Sequence, residues 1–354
     1  MMLAGFLEVW PRNRPLFCRV SSAQRAVLIH RFPSVKWIVA GEAEPLYDLW
    51  LGVGDTPIQV LSGLFFLEHL EAEFKKAKEL GARIVLAGIG AEREAVREKI
   101  RFSAVLGQVD LISTRDHETR DLLSNEFSVD PAKLIIGDDL AHIYLQGAAS
   151  GCPEVNDRPL EVAVNYYAER MPRKDSLTVL RWLKAQQIVP RSAAFLSNEA
   201  RVMPSMESRH YAELAWATCL DRRGDAVAII TPNRWATDLD DTVRHFATVQ
   251  TVLSSRFHCL LSAAWFGCRV YGLGRSSKVE TLCVGLGISH VKERGIKAAV
   301  LERGAALARP VPAELLDSKA GNARAAVTQI LARLAPDELE TAGGAPDTRK
   351  GMKA

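Results

Sequence analysis

The chain has 354 residues and carries 45 Lys+Arg against 42 Asp+Glu, a formal net charge of only +3. Hydrophobic residues at 48% and charged residues at 25% describe a globular protein and exclude a disordered or fibrous one. So even a balance argues against a nucleic-acid binder, and no run approaches the ~18 apolar residues that span a bilayer.

At ~100–200 residues per domain the length predicts two domains. The opening MMLAGFLEVWPRNR is interrupted by Glu8 and Pro11 and does not read as a signal peptide. Residues 11–36 hold Arg12, Arg14, Arg19, Arg25, Arg31 and Lys36 with no acid. Residues 1–35 therefore read as a basic leader, either a solvated arm or ordinary basic surface, or an element docking on an anionic lipid-linked sugar or membrane surface. Cys18, Cys152, Cys219, Cys259, Cys268 and Cys283 form no C-x-x-C pair. They read as reduced thiols of a cytoplasmic protein.

From residue 36 short apolar runs alternate with amphipathic ones. Strands are predicted at 35–40, 47–54, 82–90, 109–113 and 132–137, with helices at 58–80 and 92–106 and a further helix after 116. Gly81 stops the first of these helices. The stretch GAASGCPEVNDRP (147–159) has no periodicity and reads as a linker between a domain at 36–147 and a second at 160–334. In the second, strands are predicted at 160–167, 192–197, 225–231, 248–254 and 268–274, and helices at 175–187, 205–222, 257–267 and 276–286. The final stretch, 335–354, has few large apolar groups and reads as a disordered tail. Strand–helix alternation predicts an α/β protein of two Rossmann-like domains facing across a cleft, with ligands outside the carboxyl ends of the strands.

Candidate chemistry is therefore sought just after strands. Gly52-Val53-Gly54-Asp55 and Gly88-Ile89-Gly90 are turns where backbone can approach a ligand closely, although neither matches G-x-G-x-x-G or a Walker A loop. Arg115, in Ser113-Thr114-Arg115-Asp116, can hold a carboxylate or phosphate, or simply pair with Asp116. Ser254-Ser255-Arg256-Phe257-His258 places an arginine and a histidine at the opening of an apolar helix. The helix dipole disfavours the charged histidine there, so it titrates near neutral pH and suits acid–base work beside an anion-holding arginine. Lys278 adds a cation after the next strand. The histidines show no metal-ligand spacing, and no G-x-S-x-G elbow is present.

In this order, four stretches resemble the polysaccharide pyruvyl transferase family. They are YDLWLGVGDTPIQVLSG through AGIGAERE, VDLISTRDHETRDLL with IIGDDLAHIYL, SSRFHCLLSAAWFGCRVYGLG, and SSKVETLCVGLGI. The resemblance implies a fold similar to the glycosyltransferase B class. It also implies transfer of pyruvate from phosphoenolpyruvate to a sugar as a ketal. By the same resemblance Arg115, Arg256, Lys278 and Ser255 would bind the donor and His258 would be the acid–base, with neither metal nor cofactor required. The acceptor would be a sugar or lipid-linked oligosaccharide of an exopolysaccharide or lipopolysaccharide precursor. The chain departs from the family in lacking an Asn-x-Gly-Asp turn before residue 47 and in reading Asp138-Asp139 where Asp-Pro is common. A nucleotide-sugar glycosyltransferase of the same fold, or a non-catalytic sugar-binding relative, are the alternatives.

Overall fold

A computed structural model of the chain describes residues 1–165 (40, 61 and 62 excepted), 178–185 (180 and 184 excepted), 193–196, 228–230, 240, and 243–334 (275, 276 and 293–296 excepted). The helix expected at 205–222 and the tail expected at 335–354 lie outside the described residues, as does most of 175–187.

The chain opens with α1 (Met2–Val9), β1 (Leu16–Val20), α2 (Ser22–Arg31) and β2 (Val35–Val39). β1 and β2 pair in parallel, Leu16 opposite Val35 through Val20 opposite Val39. Between them α2 starts on a capping box, Ser21 accepting from the Gln24 backbone while the Gln24 side chain returns the bond. Residues 1–35 are thus folded, which differs from the leader expected of them. Phe6 and Gly5 of α1 are buried, and a Cβ at Gly5 would lie 2.0 Å from the Leu140 carbonyl oxygen. The strand escapes a reading by pattern because LFCRV exposes Cys18 and Arg19, as an edge strand can, and lacks a continuous apolar run.

Next come β3 (Leu49–Val53), α3 (Phe65–Glu79), β4 (Arg83–Ile89), α4 (Lys99–Leu106), β5 (Leu111–Thr114), α5 (His117–Asn125), β6 (Leu134–Ile136) and α6 (Ala141–Ala148). The four strands form a parallel sheet in the order β3-β4-β5-β6. α3 folds because Leu67, Leu70, Phe74 and Ala77 recur at helical spacing and all four are buried against the sheet. Each large side chain among them contributes roughly 1.5–3 kcal/mol by leaving water.

The second sheet is also parallel, ordered β12-β11-β10-β7-β8-β9. Its strands are β7 (Leu160–Asn165), β8 (Ala193–Leu196), β9 (Ala228–Ile230), β10 (Val249–Ser254), β11 (Arg269–Leu273) and β12 (His290–Val291). Helices α7 (Phe257–Trp265), α8 (Ser277–Leu286) and α9 (Ala298–Leu307) accompany it. Every strand expected from sequence lies at its place, and β1 and β12 are additional. Between the sheets, Arg158 is buried and its guanidinium donates to the carbonyls of Pro153, Phe246, Val249 and Phe266, pinning residues 153–158 to the second sheet.

The last described element, α10 (Ala313–Leu334), returns to the first sheet. Its Ala323, Ala326, Val327 and Ile330 join Phe6, Val85, Ala87, Leu111, Ile135, Leu140 and Ile143 in one apolar cluster. Arg83 of β4 donates to the final carbonyls of this helix, at Arg333 (3.0 Å) and Leu334 (3.2 Å). The sequence boundary at 160–334 divides the chain differently: α10 covers the first sheet.

Candidate active site

β5 carries the chain into the cleft and delivers Arg115. The Arg115 backbone N–H donates to the Ile89 carbonyl (2.9 Å), and Asp116 then caps α5 by accepting from Thr119 N–H (2.6 Å). The residue is 6% exposed, and its guanidinium is held from several sides. Its Nη2 donates to Thr56 Oγ1 at 3.1 Å, its Cζ lies 4.7 Å from the Phe257 ring centre, and Nε is 3.5 Å from Asp116 Oδ2. Glycine at 90 makes room for it, since a Cβ there would fall 2.4 Å from Arg115 Cζ.

Asp139 faces this arginine. It is 3% exposed, and its Oδ1 accepts from Ala141 N–H (2.9 Å) where α6 begins. Its Oδ2 is buried without a hydrogen-bond partner among the described residues, 3.9 Å from Arg115 Nη1 and 3.9 Å from His258 Nε2. His258 occupies the first turn of α7. A third of its side chain is exposed (33%), yet the Nε2 atom is shielded and has no hydrogen-bond partner among the described residues. That withdrawal from water is the largest influence on the imidazole and holds its pKa below the usual value; Asp139 opposes the shift and Arg115 reinforces it.

The turn after β3 closes the near side. Gly54 and Asp55 both take positive φ, 69° and 64°, a conformation that costs an aspartate energy and concentrates at functional sites. Asp55 is exposed; its Oδ1 accepts from Thr56 N–H (2.7 Å) and its carbonyl from Gly90 N–H (2.8 Å), tying the two turns together. The same backbone places Thr56 against Arg115.

On the far side, buried Asn165 at the end of β7 organises the segment before α7. Ser254 Oγ donates to Asn165 Oδ1 (3.0 Å) and accepts from Arg256 N–H (3.0 Å), while Ser255 N–H donates to the Asn165 carbonyl (2.9 Å). Arg256 and Ser255 are half-buried at the cleft edge. Lys278 is engaged elsewhere: its Nζ lies 3.6 Å from Glu92 Oε1, a bridge between the two halves, alongside Thr281 to Glu118 (2.5 Å) and Tyr144 to Asp240 (2.8 Å).

Of the expected residues, the fold brings together Arg115, His258, Gly90 and the Gly54-Asp55 turn, with Arg256 and Ser255 on the adjoining segment. Gly52 lies within β3, where a Cβ would meet Leu86 and Trp50, and Gly88 faces Leu140. Both are packing positions rather than parts of the cleft wall. Among the described residues no three His, Cys, Asp or Glu side chains are placed to hold a metal ion.

A sequence model of the polysaccharide pyruvyl transferase family matches residues 21–277, most of the chain. The protein belongs to this family. The match takes in Arg115, Asp139, Arg256 and His258 and ends one residue before Lys278. No curated protein matches this pyruvyl transferase family member.

Among solved structures, UDP-GlcNAc 2-epimerase from Methanocaldococcus jannaschii superimposes with a TM-score of 0.53 at 12% identity, covering 90% of this chain and 99% of its own. Anabaena Alr3699/HepE, solved in complex with UDP and glucose, gives 0.52 at 11%, covering 96% and 95%. At these identities the likeness is one of fold: the family member has the two-domain architecture of the glycosyltransferase B class.

Sequence reasoning passed over Asp139, Thr56 and Phe257. Asp139 entered there only as half of the Asp138-Asp139 pair that stands where Asp-Pro is common in the family. Asp138 indeed has a separate role, bonded to Lys319 (2.9 Å) and Asn322 (3.0 Å) of α10. The available signal was the position itself, directly after a predicted strand.

Proposed function

We propose that the protein transfers pyruvate from phosphoenolpyruvate to two hydroxyls of one sugar, forming a cyclic ketal on a surface-polysaccharide or lipopolysaccharide precursor. The observation that carries this reading is the Arg115–Asp139–His258 group: a buried anion holder and a half-buried proton carrier share one buried carboxylate. Arg115 and Arg256 bind the carboxylate and phosphate of the donor, with Ser255 beside them. Lys278, paired with Glu92, reaches the phosphate only by exchanging that partner.

His258 rests neutral, because its site disfavours the imidazolium. A donor with three negative charges reverses that preference, so the histidine takes up a proton as phosphoenolpyruvate binds. The imidazolium gives this proton to the methylene carbon, which becomes a methyl group, and the adjacent carbon becomes oxocarbenium-like. The first sugar hydroxyl attacks that carbon and returns its proton to His258. The second hydroxyl attacks as the carbon–oxygen bond to phosphate breaks, and its proton leaves with hydrogen phosphate. Arginine charge absorbs the developing negative charge of the leaving group. Arg115 contributes most here, because its fixed, buried guanidinium needs no reorganisation.

No described helix is long and apolar enough to cross a membrane. The five described cysteines are free thiols, in keeping with the cytoplasmic site of action we assign.

The test is titration of the purified chain with phosphoenolpyruvate, followed by turnover of the His258→Ala variant. Donor binding by both proteins and loss of transfer only in the variant is the expected result. A fully active variant would remove His258 from the chemistry, and binding of nucleotide sugars without phosphoenolpyruvate would favour a glycosyltransferase.

A further inference from the structure

The basic N-terminal segment folds around a space that the donor chemistry leaves unused. α1, β1 and α2 enclose a groove of about 800 Å³, in the ~300–1,000 Å³ range of small-molecule sites. Arg12, Arg14, His30 and Arg31 line it, with Glu8 the acid among the described lining residues and Tyr144 of α6 on its wall. Arg12 and His30 are exposed, whereas Arg14 and Arg31 are half-buried. Cations recessed in a concavity suit a discrete anionic group better than a flat layer of headgroups.

The groove adjoins the catalytic cleft. α1 forms the partition: Met2 Sδ accepts from Asp55 N–H (3.1 Å), while Ala4 and Glu8 face the groove. From Met2 to Ala4 the helix rises only ~3 Å. Tyr144 on the groove wall belongs to the helix that Asp139 opens.

We propose that this groove is the acceptor subsite and binds the diphosphate of a sugar acceptor carried on a nucleoside or polyprenyl diphosphate. The inference rests on the pyruvyl-transfer reading above. The arginines hold the diphosphate, and the sugar extends past the N-terminal end of α1 to His258.

The full chain would be titrated with UDP-GlcNAc, with phosphatidylcholine vesicles carrying polyprenyl-diphosphate GlcNAc, with free GlcNAc, and with phosphoenolpyruvate. At least one diphosphate probe should bind at least tenfold more tightly than free GlcNAc, and the stronger of the two identifies the carrier. Arg12→Glu combined with His30→Gln alters exposed positions only, and an unchanged melting temperature confirms its fold. This variant should lose that binding by about tenfold or more, the effect of removing charge-assisted bonds. Its affinity for phosphoenolpyruvate should stay within about twofold of wild type. The proposal is overturned if neither diphosphate probe outbinds free GlcNAc, or if the groove variant binds the probes as wild type does. Wild-type protein that binds a diphosphate probe but no phosphoenolpyruvate would overturn the donor reading alone.

Discussion

Asp139→Asn separates charge from shape in the site. The amide retains the oxygen that accepts from Ala141 N–H and removes the negative charge opposite Arg115 and His258. At the observed 3.9 Å, a unit charge pair at an effective dielectric of 20 is worth about 4 kcal/mol. Because His258 is a third exposed, solvent screens part of this, and about 2–3 kcal/mol is the expected loss of support for the imidazolium. At 1.36 kcal/mol per tenfold, kcat for ketal formation at neutral pH falls about 100-fold. Donor affinity moves the other way: Asp139 repels the phosphoenolpyruvate anion, so its removal leaves binding unchanged or tighter. Phosphate release measured from pH 5 to 8, with a parallel calorimetric titration of the donor, reads both effects. A variant with wild-type kcat at pH 7, or one that loses donor binding, would refute the electrostatic account.

Other consequences follow from the same geometry. Arg256→Gln should weaken phosphoenolpyruvate binding by roughly 1.5–3 kcal/mol, the contribution of a charged hydrogen bond, seen as a rise in KM. Gly90→Ala places a methyl group 2.4 Å from Arg115 Cζ and should reproduce an Arg115 loss in activity with little change in secondary structure by circular dichroism. Stability should fall in acid through His142, which is buried and accepts at Nδ1 from Trp265 Nε1 (3.0 Å), a bond only the neutral ring can make. Burial first of all lowers the pKa of His142 from 6.5 to about 4. The native state thus binds the proton less readily than the unfolded chain, and stability complete above about pH 6.5 is lost as pH falls through about 4. The total is about 3 kcal/mol, and thermal melts of His142→Phe should show that part of the pH dependence removed.

The parallel strands were legible because β4 and the inner residues of β5, β7 and β10 are buried, leaving short apolar stretches (84–87, 111–112, 162–164 and 252–253) that pattern detects. The edge strand β1 was not, since two of its five residues are exposed and none is fully buried. α10 was hidden for another reason: its contact face includes Ala323 and Ala326, which pattern reading scores weakly, and most of its partners lie some 180 to 250 positions earlier, as with Arg83 and Leu334. Within the site, Arg115 and His258 could be named because cations after strands or at a helix start invite a question. Asp139 could not be distinguished from its neighbour Asp138 until the fold showed one bonded to α10 and the other facing the cleft. Lys278 drew notice as a cation at a strand end, but its partner Glu92 comes from the other sheet and no local pattern announces it.

The return of α10 has a bearing on how the polypeptide can be made. The outer face of the first sheet, with Val85, Ala87, Leu111 and Ile135, gains its cover from Ala323 to Ile330 only after the whole second sheet has been synthesised. At ~5–20 residues per second the nascent first half waits on the order of ten seconds or more with that face incompletely protected. Chaperone occupancy during translation should therefore centre on this surface. A fragment ending before residue 313 should aggregate rather than behave as an autonomous unit.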